Sequence, residues 1–287
     1  MKYAVIDIGS NSVRLMMSQN GKTLYKDVTI TRLSEGLTHR NLLIEEAVIR
    51  TAEAVSFFVA KARKENADKI YAFATAAARK ADNSYLLLDK VKELCGVDIE
   101  IISGEKEAEI GVKGALSNKD GGIIDIGGAS SEVIVVKGGK TEYCFSLDVG
   151  VVKIKEICGQ DRVLATEYLK KEIEKYGLIP KTDFYGIGGT ATSIAAVMQK
   201  LSPYDPSKVH GFVIEKQALL TFIEDIYKMS IEERKTLKGL QPQRAEVIAG
   251  GAVLLYEIMN KIGLRRVTVS ESDNLEGYLA DKELKNE

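Results

Sequence analysis

Near its start the chain reads Tyr3-Ala4-Val5-Ile6-Asp7-Ile8-Gly9-Ser10-Asn11-Ser12, and a similar stretch follows at Gly122-Ile123-Ile124-Asp125-Ile126-Gly127-Gly128-Ala129-Ser130-Ser131. The two aspartates are 118 residues apart. In each stretch a short apolar run ends in Asp-Ile-Gly and small residues, which predicts a buried strand followed by a tight turn. A β-rich run, a Gly-Lys turn and a further β-rich run come next in both places. The chain is therefore predicted to contain two similar halves, each beginning strand, turn, strand, turn, strand.

Helical periodicity follows the three strands in each half. Residues 41–65 carry apolar side chains at three-to-four spacing, which predicts one buried stripe, formed by Val48, Ala52, Val55, Val59 and Ala62. Further helices are predicted at 83–95, 105–116, 167–176, 190–200, 216–229 and 244–262, and further strands at 69–74, 97–102, 184–187 and 267–270. This order predicts an α/β fold of two domains, 1–120 and 121–287, with a cleft between them as the ligand position. The length of 287 residues agrees with two domains at ~150 residues each.

The composition excludes several classes of protein. With 40 basic and 41 acidic residues, a formal net charge of -1, the chain is not expected to bind nucleic acid. Three cysteines without framework spacing indicate reduced thiols and a cytoplasmic protein, and the N-terminus lacks the features of a signal peptide. Two histidines leave no His-rich metal site, and the apolar stretch 247–259 is too short to span a membrane.

Three glycine-rich turns follow predicted buried strands. Small residues allow backbone N–H groups to approach phosphate oxygens closely, and Ser and Thr add hydroxyl donors. Any one turn on its own is better explained as a strand terminator, but three of them, two in register within a repeat, favour phosphate binding. The predicted phosphate-binding residues are Gly9, Ser10, Asn11 and Ser12, then Gly127, Gly128, Ala129 and Ser130, then Gly188, Gly189 and Thr190.

The strand before each of the first two turns carries an aspartate, Asp7 or Asp125. Two carboxylates beside phosphates indicate a hard divalent cation such as Mg²⁺, held directly or through water. No Gly-Lys-Ser/Thr ends any of the turns, so the pattern is not a Walker loop. The first turn leads into a strand rather than a helix, so it is not a dinucleotide fingerprint either.

The two Asp-Ile-Gly turns and the Gly-Gly-Thr turn resemble those of the actin, Hsp70 and sugar kinase superfamily. Within it, the chain is most similar to the exopolyphosphatase / guanosine pentaphosphate phosphohydrolase family. The segments that carry this resemblance run through nearly the whole chain, at 6–15, 74–79, 102–108, 125–132, 188–190, 210–211 and 239–245.

The resemblance implies two ribonuclease-H-like domains closing over a polyphosphate cleft. It implies release of terminal phosphate from inorganic polyphosphate or from guanosine pentaphosphate. It also implies that Glu107 activates water, that Arg79 binds substrate phosphates, and that Asp125 and Glu132 serve a divalent cation. By position alone, Glu107 is better explained as a first-turn helix acid and Arg79 as a solvated surface residue, so the resemblance alone singles them out.

The sequence departs from the family pattern in two places. The family commonly has Gly-Leu-Arg-Glu-Gly near the end of this region, where this chain has Asp273-Asn274-Leu275-Glu276-Gly277, so Leu275 stands in the arginine position. The second turn has Ala129 where a third glycine is usual. The chain otherwise resembles the short, two-domain members of the family.

Two other functions remain open at this point. A non-catalytic sensor of polyphosphate or a guanosine alarmone is one of them, because Leu275 stands in the arginine position. A small-molecule kinase on the same scaffold is the other, although the larger insertion that sugar kinases carry is not recognised here. The sequence does not decide whether the substrate is polyphosphate or guanosine pentaphosphate. It also does not decide whether the protein is a monomer or a homodimer.

Overall fold

The chain folds into two structural units. The computed structural model describes residues 1–117 and 119–284. The first unit contains Met1–Ile110 together with the chain from Asn274 onward, and the second contains Gly111–Asp273. Each unit has its own mixed sheet and its own helices, so the α/β fold class predicted from the sequence is confirmed.

The first unit is built on a five-stranded sheet of order β3-β2-β1-β4-β5. Its strands are β1 (Lys2–Ile8), β2 (Ser12–Gln19), β3 (Lys22–Ile30), β4 (Lys69–Ala74) and β5 (Glu100–Ile101). Its helices are α1 (Leu37–Arg40), α2 (Glu45–Lys64), α3 (Ala76–Lys80) and α4 (Tyr85–Cys95), and α5 (Gly104–Leu116) continues into the second unit. The predicted stripe of α2 is buried along its whole length, as the helical spacing requires.

The second unit has a six-stranded sheet of order β10-β11-β9-β6-β7-β8. Its strands are β6 (Gly121–Ile126), β7 (Ser131–Lys137), β8 (Lys140–Leu147), β9 (Phe184–Ile187), β10 (Val213–Glu215) and β11 (Arg266–Val269). Its helices are α6 (Val151–Cys158), α7 (Arg162–Glu172), α8 (Gly188–Met198), α9 (Pro206–Val209), α10 (Lys216–Lys228), α11 (Ile231–Lys235) and α12 (Ile248–Ile262). Short 3₁₀ segments lie at Ile173–Tyr176 and Pro242–Arg244.

The sequence repeat is a structural repeat. In each unit three consecutive strands form an antiparallel meander, and the first of them also pairs in parallel with a later strand. The first turn closes in the same way in both units. The N–H of Gly9 donates to the carbonyl oxygen of Ser12 at 2.9 Å, and the N–H of Gly127 donates to the carbonyl oxygen of Ser130 at 3.0 Å.

The structure divides the chain differently from the prediction of 1–120 and 121–287. The last helix, α13 (Asn274–Leu284), belongs to the first unit. Its side chains Leu275, Tyr278 and Leu279 join an apolar cluster with Val5 and Phe73 of the first sheet, and burial of that apolar face explains the return of the chain.

Some local elements also differ from the sequence prediction. The predicted strand 97–102 shortens to β5, and the predicted helix 244–262 starts only at Ile248. Within the described ranges, no helix is both long and apolar enough to cross a bilayer.

Candidate active site

The first glycine-rich turn is held by the segment that follows β3. The carbonyl of Asn11 accepts hydrogen bonds from the N–H groups of Thr31 and Arg32, both at 3.0 Å, and that of Ser10 accepts from Ser34 at 3.0 Å. In a planar trans peptide the N–H points opposite to the carbonyl. The N–H groups of Asn11 and Ser12 therefore point away from this segment, in the orientation that an anion-binding turn needs.

The second turn is held in a comparable way by the start of α6. The N–H of Val151 donates to the carbonyl of Gly127 at 3.0 Å, and that of Val152 donates to Gly128 at 2.8 Å. The N–H groups of Gly128 and Ala129 consequently face away from α6. Gly150 makes this approach possible, because a Cβ there would overlap the carbonyl group of Gly128.

The third turn lies beside the second within the same unit. Gly188, at φ +73°, begins α8 against the carboxylate of Asp125, where a side chain would be both strained and blocked. The hydroxyl of Thr190 donates to the carbonyl of Ile126 at 2.8 Å. Its hydrogen is thus used within the protein, so a phosphate contact from Thr190 would come from its backbone N–H at the start of α8.

The two halves of the repeat differ in the residue that lies opposite the repeated aspartate. Asp7 on β1 lies opposite Arg14 on β2, and the Nε and Nη2 atoms of Arg14 both donate to Oδ2 of Asp7, the former at 3.0 Å. Asp125 on β6 lies opposite Glu132 on β7. Residues opposite each other share one face of a sheet, so the first half has an ion pair where the second has two carboxylates.

This difference decides where a divalent cation fits best. Two hard oxygen donors on neighbouring strands suit Mg²⁺, which usually takes one or two carboxylates and completes its shell with water and substrate phosphates. Glu132 is held by a hydrogen bond of 2.6 Å from the hydroxyl of Ser146, which fixes the carboxylate. Asp7, by contrast, already has a cation at its Oδ2, which favours a structural role. Among the described residues, no cluster of three or more His, Cys, Asp or Glu side chains forms a metal cage.

Glu107 and Arg79, singled out by the resemblance, are brought together in the first unit. Glu107 lies in the first turn of α5 and is buried, and Arg79 lies on α3. Nη1 of Arg79 is 3.0 Å from Oε2 of Glu107 and 2.9 Å from the carbonyl oxygen of Ile102. The neighbouring guanidinium favours the ionised form of the carboxylate, which is the form that a general base requires. Arg79 is therefore held by contacts within the protein rather than being a solvated surface residue, whereas the first-turn position predicted for Glu107 is confirmed.

Arg244 is a residue that the sequence did not single out. It is the last residue of the 3₁₀ segment Pro242–Arg244 and is 9 % exposed, and its Nε donates to Oε1 of Gln241 at 3.2 Å. Its guanidinium lies so close to Gly189 that a Cβ there would be 2.7 Å from Cζ. The positively charged guanidinium is thereby packed against the N-terminus of α8, where the positive end of the helix dipole lies. Together they favour the binding of an anion. The only sequence signal for Arg244 was its place in segment 239–245, which resembles the family. Nothing else in the sequence distinguishes this arginine from the others.

Comparison with known proteins gives the family. The profile of the Ppx/GppA phosphatase family matches residues 12–286. The chain belongs to the Ppx/GppA phosphatase family. A crystal structure of the family member from Aquifex aeolicus superposes with a TM-score of 0.79 at 28% sequence identity, covering 100% of this chain and 98% of that one.

Three relatives show how the Ppx/GppA region occurs in other proteins. Exopolyphosphatase 2 of Mycobacterium tuberculosis is 27% identical over 96% of this chain and 97% of that protein. A bifunctional 3-dehydroquinate synthase/phosphatase of Fusobacterium nucleatum is 32% identical over 97% of this chain. A guanosine-5'-triphosphate,3'-diphosphate pyrophosphatase of Photobacterium profundum is 29% identical over 96% of it. The chain spans 46% of the Fusobacterium protein and 58% of the Photobacterium one.

The departure at Leu275 is structural as well as chemical. In this member of the Ppx/GppA family Leu275 is 0 % exposed and lies in the apolar cluster between α13 and the first sheet. A position buried in this way cannot present a cation to a phosphate. The other departure, Ala129, is only half-buried and leaves the hydrogen bond that closes its turn intact.

Proposed function

We propose that the protein is a hydrolase that releases terminal phosphate from inorganic polyphosphate, with guanosine pentaphosphate as the second candidate substrate. The observation that supports the proposal is the contact of 3.0 Å between Glu107, the proposed proton acceptor, and Arg79, the proposed phosphate-binding cation. The names of the relatives supply the two substrates. Both carry terminal phosphoanhydride bonds and a high density of negative charge.

In the proposed reaction Glu107 is the general base. It takes a proton from a water whose oxygen attacks the terminal phosphorus, and the bond from that phosphorus to the bridging oxygen breaks. A positioned base contributes typically ~10²–10⁴-fold to such a reaction. Arg79 offers a planar fork that suits two phosphate oxygens, and its bond to the Ile102 carbonyl keeps the fork in place.

A divalent cation, Mg²⁺ by its donor chemistry, would be held by Asp125 and Glu132. It would neutralise charge on the phosphates, which phosphoryl transfer requires. Bound there, it would also offset the repulsion between two carboxylates that lie opposite each other on one sheet face. We assign no metal contact to Asp7, whose ion pair with Arg14 stabilises the start of the first turn.

Backbone N–H groups and one more arginine would bind the remaining phosphates. The turns at Gly9–Ser12 and Gly127–Ser130 point N–H groups away from their supporting segments, as the hydrogen bonds of their carbonyls require. We add Arg244 to this set, since its guanidinium and the start of α8 converge on Gly189. Each phosphate of a polyphosphate carries the negative charge that such a group of donors suits.

The test is phosphate release by the purified protein from long polyphosphate, short polyphosphate, guanosine pentaphosphate and ATP, each with Mg²⁺ and with a chelator. Metal-dependent release from one of the first three substrates is expected. Turnover of ATP alone, stimulated by a small alcohol, would favour a kinase instead. Binding of polyphosphate without release would favour the sensor.

Glu107→Gln tests the assigned base within the same assay. We expect kcat to fall by ~10²–10⁴-fold while substrate binding is retained. Glu105→Gln is the matched control, because Glu105 is an exposed acid on the same helical turn. Equal activity of the two variants would overturn the role of Glu107.

A further inference from the structure

The C-terminal helix α13 packs beside the short connection that leads into α5. Leu275, Tyr278 and Leu279 on α13 share an apolar cluster with Ile102 and Ile110. Ile102 immediately precedes Ser103 and the start of α5, and Ile110 lies two turns into the helix. The apolar face of α13 therefore supports both sides of the turn from which Glu107 projects.

Polar contacts from α13 hold the two ends of this connection. Before it, Oε2 of Glu100 on β5 accepts a hydrogen bond of 2.5 Å from the hydroxyl of Tyr278 and another of 2.6 Å from Nζ of Lys282. After it, Nζ of Lys106 is 2.6 Å from Oδ1 of Asp281. The segment from Glu100 to Lys106 is thus tied at both ends to one helix.

The pair of Lys106 and Asp281 has the features of a positioning contact. A lysine in the first turn of a helix is unfavourable, because the positive end of the helix dipole lies there. The Asp281 side chain is only 5 % exposed, and burial of a carboxylate is costly unless a partner is fixed beside it. The contact between them offsets both unfavourable placements and ties the first turn of α5 to α13.

That turn carries the geometry on which the proposed chemistry depends. Glu107 is the neighbour of Lys106, and Arg79 bonds both the Glu107 carboxylate and the carbonyl of Ile102. We propose that Asp281, acting through Lys106, is a positioning residue for Glu107, and that α13 is the element that sets the proposed base in place. This proposal rests on the proposed function of Glu107.

The experiment compares Asp281→Asn, Lys106→Met and the double variant in the full chain. A misplacement of about 1 Å can cost ~10²-fold in rate, so we expect each single variant to lower kcat at least ~10-fold with KM little changed. The double variant should lose no more than Lys106→Met alone, because that substitution already removes the contact with Asp281. Glu109→Gln is the control, since Glu109 also contacts Lys106, at 3.1 Å, but is half exposed. It should retain kcat.

Amide hydrogen exchange across residues 104–108 provides a readout that does not depend on turnover. Faster exchange there in Asp281→Asn, with unchanged exchange in β1 and α2, is expected. Normal kcat in both single variants, additive losses in the double variant, or unchanged exchange at 104–108 would each overturn the proposal. If Asp281→Asn fails to fold, Lys106→Met alone decides by the same readouts. A wild-type protein that releases no phosphate would instead contradict the proposed function. The exchange result at 104–108 would then decide whether Asp281 positions the first turn of α5.

Discussion

Restoring the family arginine at position 275 should damage this protein rather than improve it. Leu275 is 0 % exposed and shares its apolar cluster with Val5, Phe73 and Tyr278. Leu275→Arg removes a buried leucine, whose burial stabilises by ~1.5–3 kcal/mol, and places a guanidinium in an apolar site. A buried charge without a partner costs several kcal/mol more unless the site opens, so we expect a loss of about 3–5 kcal/mol.

A loss of this size is measurable by thermal and urea unfolding. At ~2–4 °C per kcal/mol, the melting temperature should fall by roughly 10 °C. The matched control is Leu178→Arg, the same change at a side chain that is 96 % exposed, for which ~0.5 kcal/mol or less is expected. Leu275→Met, which conserves volume, should cost less than ~1.5 kcal/mol.

The same variants separate packing from phosphate binding. If Leu275→Arg melts within about 2 °C of the wild type and lowers KM for polyphosphate, the guanidinium reaches substrate and the burial argument is refuted. If it is destabilised without a gain in affinity, position 275 in this chain is a packing position. The phosphates must then be bound by other groups.

Three further outcomes follow from the site and its surroundings. Glu132→Gln keeps an acceptor for the Ser146 hydroxyl but removes a charge, so the Mg²⁺ concentration for half-maximal phosphate release should rise by about tenfold; an unchanged Mg²⁺ titration would argue against the metal site. Gly189→Ala should raise KM severalfold by displacing the Arg244 guanidinium, yet leave the urea midpoint nearly unchanged because that group is the end of a flexible side chain; a normal KM would remove Arg244 from the proposed site. Burial raises the pKa of Tyr227 from 10.0 to about 12, so its protonated form contributes stability that is complete below pH 10 and is lost as the pH rises through 12. In Tyr227→Phe the free energy of unfolding should fall less steeply over that interval than in the wild type, and equal slopes would count against this assignment.

Features encoded by neighbouring residues could be predicted. The two Asp-Ile-Gly turns, the strand meanders that follow them and the buried stripe of α2 all arise from local periodicity and from glycine at tight turns. Glu107 and Arg79 were located by resemblance, and the structure then placed them 3.0 Å apart. Their roles in catalysis and the metal ligands remain predictions.

The sequence by itself determined the repeated α/β plan, because strand, turn and helix signals act over a few residues. Tertiary structure alone decided that α13 returns to the first unit, that Arg244 lies against Gly189, and which residue faces each aspartate. The same position of the repeat faces Arg14 in one half and Glu132 in the other, and that opposition depends on strand register, where a slip of one residue would turn each side chain to the other face. These contacts join residues far apart in the chain or across a hairpin, and their energies come from burial and charge that exist only once the sheets have formed.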